Sequence, residues 1–139
     1  MAELTLSLAD TSAWHRSDHP DVSPLWRRRL EADTIATTEP VRLEVLYSAR
    51  SPEEYDRLLD RLEALRQVPC SDAALRRALE VQRLLARRPL HHRVPVGDLL
   101  IAAAAELSGA TVWHYNADYD RIADVTDQPV GWIAPRGSL

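Results

Sequence analysis

The sequence predicts an α/β fold built on a parallel sheet, and three observations lead there. Short apolar runs of strand length alternate with longer amphipathic stretches, the order expected of βαβ units. The longer stretches carry apolar residues at helical spacing. Their ends carry helix start and stop signals, most clearly Ser51-Pro52-Glu53-Glu54 and Gly109.

Residues 4–9 form the first predicted strand. A helix over residues 22–32 follows, carrying Leu25, Trp26 and Leu30, then a strand at 34–37 and a helix from about Pro40 to Ala49. Ser51 then serves as N-cap, Pro52 fits the first helical position and Glu54 closes a capping box, so another helix extends to about residue 65. Residues 67–69 suit a short strand. Leu75, Leu79, Gln82 and Leu85 march at helical spacing through a helix over 72–86. Two prolines and a lack of periodicity make 87–95 a loop. The helix over 98–108 contains four consecutive alanines and is apolar enough to be buried, with Gly109 as its C-terminal cap. A strand at 111–115, a turn or short helix at 119–122 and a strand at 130–133 complete the chain.

A chain of 139 residues suits one domain, here 1–139, with room for a real core. Hydrophobic residues make up 45% and charged residues 27%, which excludes a disordered composition. Cys70 is the only cysteine, so an internal disulfide, a thiolate zinc cluster and a CxxC redox site are excluded. The start of the chain lacks a basic segment leading into a long apolar run, and no stretch reaches the ~18 apolar residues of a membrane span. A cytoplasmic protein is expected. All 17 basic residues are arginine and the net charge is −4, so any contact with nucleic acid is local rather than spread over a cationic surface.

Four acidic residues carry the chemical argument. Asp10 follows the first strand, and ligands of open parallel sheets gather beyond the carboxyl ends of strands; the same residue suits an N-cap or turn. Glu44, at about 100° per residue, falls on the arc of Val41, Leu43, Val45 and Tyr47, so its carboxylate is expected to face inward and to need an arginine, a proton or a metal ion. Asp98 lies in the first turn of the alanine-rich helix, where the helix dipole alone would stabilise it. Asp118, with Asn116, follows the 111–115 strand, at a position also common for turns. Together these oxygen ligands suit a hard divalent cation such as Mg²⁺ or Mn²⁺.

At these residues the chain resembles PIN-domain proteins, specifically the VapC-type ribonuclease toxins of bacterial toxin–antitoxin pairs. Leu8-Ala9-Asp10-Thr11-Ser12, Arg42-Leu43-Glu44-Val45, Gly97-Asp98-Leu99-Leu100-Ile101-Ala102 and Asn116-Ala117-Asp118-Tyr119 carry the likeness, in order along nearly the whole chain. The resemblance implies a PIN-like parallel sheet of about five strands with helices on both faces, and the acidic residues meeting in one groove. It implies Mg²⁺-dependent hydrolysis of structured RNA (tRNA or rRNA) by in-line attack, leaving a 5′-phosphate and a 3′-hydroxyl. Asp10, Glu44, Asp98 and Asp118 match the catalytic and metal-holding positions, and Thr11 or Ser12 matches a supporting hydroxyl. Asn116 departs from the aspartate of many members and weakens a second metal position, for which Asp120 is the nearest compensating carboxylate. A small cognate antitoxin and a homodimer are the implied partners, with Trp26, Leu30, Leu58 and Leu62 as candidate contact residues.

Arg87, Arg88 and Arg93, with His91 and His92, form the best local basic patch and are candidates for guiding RNA phosphates; a solvated loop is the alternative. The run Arg27-Arg28-Arg29 suits a helix surface. Adjacent histidines in a loop do not make a zinc site, His15 and His114 stand alone, and the four tryptophans suit core or interface positions. An inactive PIN-fold module that binds RNA or antitoxin remains the main alternative. A haloacid-dehalogenase-like phosphotransferase requires a second aspartate where Ser12 stands, and a receiver domain requires a lysine that the chain lacks.

Overall fold

A computed structural model describes residues 5–139. The strands are β1 (Ser7–Ala9), β2 (Ile35–Thr37), β3 (Arg66–Gln67), β4 (Thr111–His114) and β5 (Val130–Trp132). The helices are α1 (Thr11–His15), α2 (Ser23–Glu31), α3 (Glu39–Tyr47), α4 (Pro52–Glu63), α5 (Asp72–Ala86), α6 (Val96–Ser108) and α7 (Asp118–Thr126). All four strand pairings are parallel, in the order β3-β2-β1-β4-β5. Successive side chains of a strand point to opposite faces. Because Ser7, Leu8 and Ala9 of the central β1 are all buried, as are Ile35, Ala36 and Thr37 of β2, the sheet is covered on both faces.

The chain builds outward from β1 through β2 to β3, then returns to place β4 on the other side of β1. The order therefore reverses beside β1, and open sheets bind ligands at such a switch point, beyond the strand carboxyl ends. Asp10 follows β1 there, and Tyr115 and Asn116 follow β4.

Local chemistry explains the helix ends. Ser51 accepts the Glu54 N–H at 3.1 Å, and the Glu54 carboxylate accepts the Arg50 N–H at 3.2 Å, so the predicted capping box closes one residue further back. Ser71 caps α5 in the same way, and Gly109 ends α6 at φ 71°, in the left-handed region that glycine adopts without strain. The alanines 102–105 are buried, which lets α6 pack closely against its neighbours. Trp26 stacks on Trp113 with ring centroids 5.6 Å apart and meets the edge of Trp14 at 6.0 Å, joining α1, α2 and β4 in one aromatic cluster.

Several expectations shift. Leu4, at the start of the first predicted strand, lies outside the described residues. The five-residue α1 has no sequence signal beyond its cap, Asp10. α6 begins at Val96, two residues earlier than expected, and of the turn or short helix expected at 119–122 it is the helix that forms, nine residues long. β4 stops at His114 and the third strand is Arg66–Gln67 rather than 67–69. In α5 the buried face is Ala74, Ala78, Val81 and Leu85, whereas Leu75 and Leu79 are exposed. Small alanines fit beneath the helix and leave the larger leucines outside. Trp26 and Leu62 are core residues, so of the four candidate contact residues only Leu30 is exposed and Leu58 half-buried.

Candidate active site

The site grows from the end of β1. Asp10 is 2% exposed and caps α1, its Oδ1 accepting the Ala13 N–H at 2.9 Å. Ser12 Oγ donates to both carboxylate oxygens, at 2.7 and 2.9 Å, and accepts the Tyr115 N–H at 2.8 Å. One hydroxyl thus ties the β1 end to the β4 end across the switch point. Burial pushes the Asp10 carboxyl above its usual range, and these hydrogen bonds pull it back.

Asp98 enters from the first turn of α6. Its Oδ2 accepts Asn116 Nδ2 at 3.2 Å and its Oδ1 accepts the Tyr119 hydroxyl at 3.3 Å. Its pKa is pushed up to about 7, chiefly by burial and then by the charges of Asp10, Asp118 and Glu44. Each of the other three carboxylates is therefore within electrostatic reach of Asp98. Asp118 opens α7 half-buried, its N–H donating to Asn116 Oδ1 at 2.9 Å and its carboxylate accepting from Arg121.

Glu44 requires a correction. Its side chain is exposed, as are Leu43 and Tyr47, because the core face of α3 is Pro40, Val41, Val45 and Leu46. It needs no buried partner, being hydrated at the open side of the groove. It nevertheless faces the site, since Oε1 accepts from Thr11 Oγ1 at 2.7 Å and Oε2 lies where Gly97 has no side chain. A Cβ on Gly97 would stand 3.3 Å from Oε2, tighter than ordinary contact.

The supporting positions Thr11, Ser12 and Asn116 all contact the acids. Asp120 turns elsewhere, accepting from Trp132 Nε1 at 3.2 Å and standing 4.0 Å from His114 Nε2. Arg87, Arg88, His91, His92 and Arg93 are exposed in the turn before α6. Sequence reasoning missed Tyr119, whose buried hydroxyl lies between Asp10 and Asp98 and whose own ionisation is opposed by burial and then by those charges. It also missed Gly97, although its place beside Asp98 was a usable signal.

Among the described residues no three His, Cys, Asp or Glu side chains are already gathered at metal-holding spacing. The donor set still fits a divalent cation. It is all oxygen, and the mutual repulsion that adds to burial in raising Asp98 is what a positive ion would relieve.

A family model for the PIN domain matches residues 8–125. The chain is 52% identical over 132 residues to Ribonuclease VapC18 of Mycobacterium tuberculosis, covering 94% of this chain and 96% of that protein. It is 45% identical to Ribonuclease VapC51 of the same organism, over 95% and 96% of the two chains. Among solved structures, a chain of the DNA-bound VapBC complex from Salmonella typhimurium shares the fold with a TM-score of 0.76, at 16% identity over 94% of this chain and 99% of that one. A chain of the VapBC2 complex from Rickettsia felis, bound to a promoter DNA fragment, gives 0.75 at 21% identity, over 92% and 98%. With the reversed parallel sheet and the acids beyond its β1 and β4 ends, these matches place the chain in the PIN-domain family, among the VapC ribonucleases.

Proposed function

We propose that this chain is a divalent-metal-dependent endoribonuclease, the toxin of a toxin–antitoxin pair, acting on structured RNA such as tRNA or rRNA. The observation that carries this reading is Asp98, a carboxyl raised to about 7 with three further acids in its field. Asp10, Glu44, Asp98 and Asp118 would hold Mg²⁺, or Mn²⁺ in its place. A bound ion of this kind lowers the pKa of a coordinated water and stabilises charge on a phosphate.

The chain's own residues prepare the site. Ser12 and the Ala13 N–H fix both oxygens of Asp10. Asn116 and Tyr119 orient Asp98, and Thr11 turns Glu44 toward the groove. Every one of these partners donates to a carboxylate, which favours the charged form that binds a cation. In the absence of the ion the same acids would repel RNA, so one requirement governs both binding and cleavage. Arg87, Arg88 and Arg93 would meet backbone phosphates beside the opening of α6.

The protein partner would be a small antitoxin, as in the VapBC complexes that share this fold. A homodimer has a surface available in the groove of about 340 Å³ between α5 and α6, lined by Leu75, Leu79, Val96, Leu99 and Leu100. Among the described residues no helix is long and apolar enough to cross a membrane; a single domain working in the cytoplasm completes the reading.

The test is cleavage of total RNA by the purified protein in Mg²⁺, with the ends mapped. Discrete cuts leaving 5′-phosphates are expected, lost with EDTA and in Asp10→Ala, while the variant keeps the parent's circular dichroism. Cleavage that persists in EDTA or in Asp10→Ala overturns the reading.

A further inference from the structure

His114 ends β4 beside the site, and nothing in the acid cluster accounts for it. It is fully buried, between the rings of Tyr119 and Trp132 at centroid distances of 5.0 and 4.9 Å. Its Nδ1 accepts the backbone N–H of Asn116 at 3.1 Å. An imidazole nitrogen that accepts carries no proton, so the proton sits on Nε2. Nε2 is buried with no hydrogen-bond partner among the described residues, and the nearest carboxylate, that of Asp120, stands 4.0 Å away.

That arrangement is costly for a residue that only fills space. A buried donor without a partner destabilises the fold, and an apolar side chain would fill the same position without it. What an apolar side chain lacks is the acceptor at Nδ1. Through it, His114 holds the backbone of Asn116, whose amide in turn accepts from the Asp118 N–H at 2.9 Å and donates to Asp98 Oδ2 at 3.2 Å. Two of the four acids thus depend on one peptide unit that the imidazole fixes.

We propose that His114 is a positioning residue of the acidic site: its Nδ1 anchors Asn116 and, through both ends of the Asn116 amide, sets Asp98 and Asp118. The proposal concerns the site described above and rests on its reading as a cation-dependent nuclease centre. His114 does not touch substrate and exchanges no proton with it. Its role resembles that of the outer hydrogen bonds that orient metal ligands, whose loss costs affinity and activity together.

A matched pair of variants tests it. His114→Leu and His114→Asn leave cavities of similar shape, but only asparagine returns an oxygen to the place of Nδ1. Three readouts are compared: thermal stability, Mn²⁺ affinity by calorimetric titration, and RNA cleavage. In His114→Leu, Mn²⁺ affinity and kcat should each fall by about 10–100-fold, while KM for RNA, measured at saturating Mn²⁺, stays near the parent's. His114→Asn should recover most of both losses, although the two variants lose similar stability. The Asn116 amide should exchange with solvent about tenfold faster in His114→Leu than in the parent or His114→Asn, as expected for one lost hydrogen bond.

Equal losses of Mn²⁺ affinity in the two variants would make His114 a packing residue and overturn the proposal. Parent-like affinity and amide exchange in His114→Leu would do the same. If the parent cleaves no RNA, the nuclease reading fails on its own, and the exchange and Mn²⁺ measurements still decide whether His114 positions the acids.

Discussion

Replacing Asp98 with asparagine should make the metal-free protein more stable while removing its activity. Asp98 is 9% exposed, and its pKa in the fold is about 7 against an ordinary value of 3.8. Three units at about 1.36 kcal/mol each place the cost of ionising it in the native state at roughly 4 kcal/mol. Asparagine keeps one acceptor oxygen for Asn116 or Tyr119 but not both, which returns part of the gain. A net stabilisation of about 2 kcal/mol remains, or roughly 6 °C in Tm for a domain of this size.

The pH dependence follows from the direction of the shift. Below the ordinary pKa the carboxyl is neutral in both the folded and unfolded chain, so no penalty exists. Between there and neutrality the folded protein keeps a proton that the unfolded chain releases, and stability falls as pH rises. Above neutrality the full penalty stands. Burial holds the pKa of His114 down to about 4, which acts in the opposite sense between that value and its ordinary 6.5, but this contribution is common to both proteins and cancels in the comparison.

The assay is thermal unfolding of parent and Asp98→Asn in EDTA from pH 4 to 8, repeated with Mg²⁺. The variant should gain over the parent progressively toward pH 8, with little difference at pH 4. Mg²⁺ should raise the parent's Tm at pH 8 and the variant's much less. A variant less stable than the parent at pH 8, or a difference indifferent to pH, would refute the electrostatic account of the site.

Gly97→Ala should leave stability within about 0.5 kcal/mol of the parent, since alanine favours the helix it enters. The new methyl would displace the Glu44 carboxylate, so Mg²⁺ affinity and cleavage should fall about tenfold by titration and gel assay. Simultaneous Arg87→Ala, Arg88→Ala and Arg93→Ala should raise KM for RNA without lowering kcat. It should also flatten the dependence of log KM on log salt by about two units if all three meet phosphates, since each contact contributes about 0.7 on single strands.

The legible parts of this molecule were those governed by local rules. α5 was recovered end to end because residues recur at helical spacing along its whole length. Asp10, Asp98 and Asp118 were singled out because each stands beside a strand or helix end, and such positions are marked in sequence; Glu44 was singled out by its phase on α3. The orientation of Glu44 was not legible. Helical phase places a side chain on an arc, but whether that arc is core or open groove depends on which helix covers it. α1 was missed because five residues carry too little periodicity to register, and Leu75 and Leu79 misled because the alanines beside them pack the core. Tyr119 and His114 act through partners that only tertiary structure brings near.

The hydroxyl of Ser12 accepts from the Tyr115 amide across 103 positions of sequence. The acidic groove as a whole can therefore not be completed by the first half of the polypeptide. During synthesis, Asp10 and Glu44 leave the ribosome long before Asp98 and Asp118, and β4 must insert beside β1 before the four meet. A chain with the proposed activity would be harmless to its own translation until almost all of it had been made.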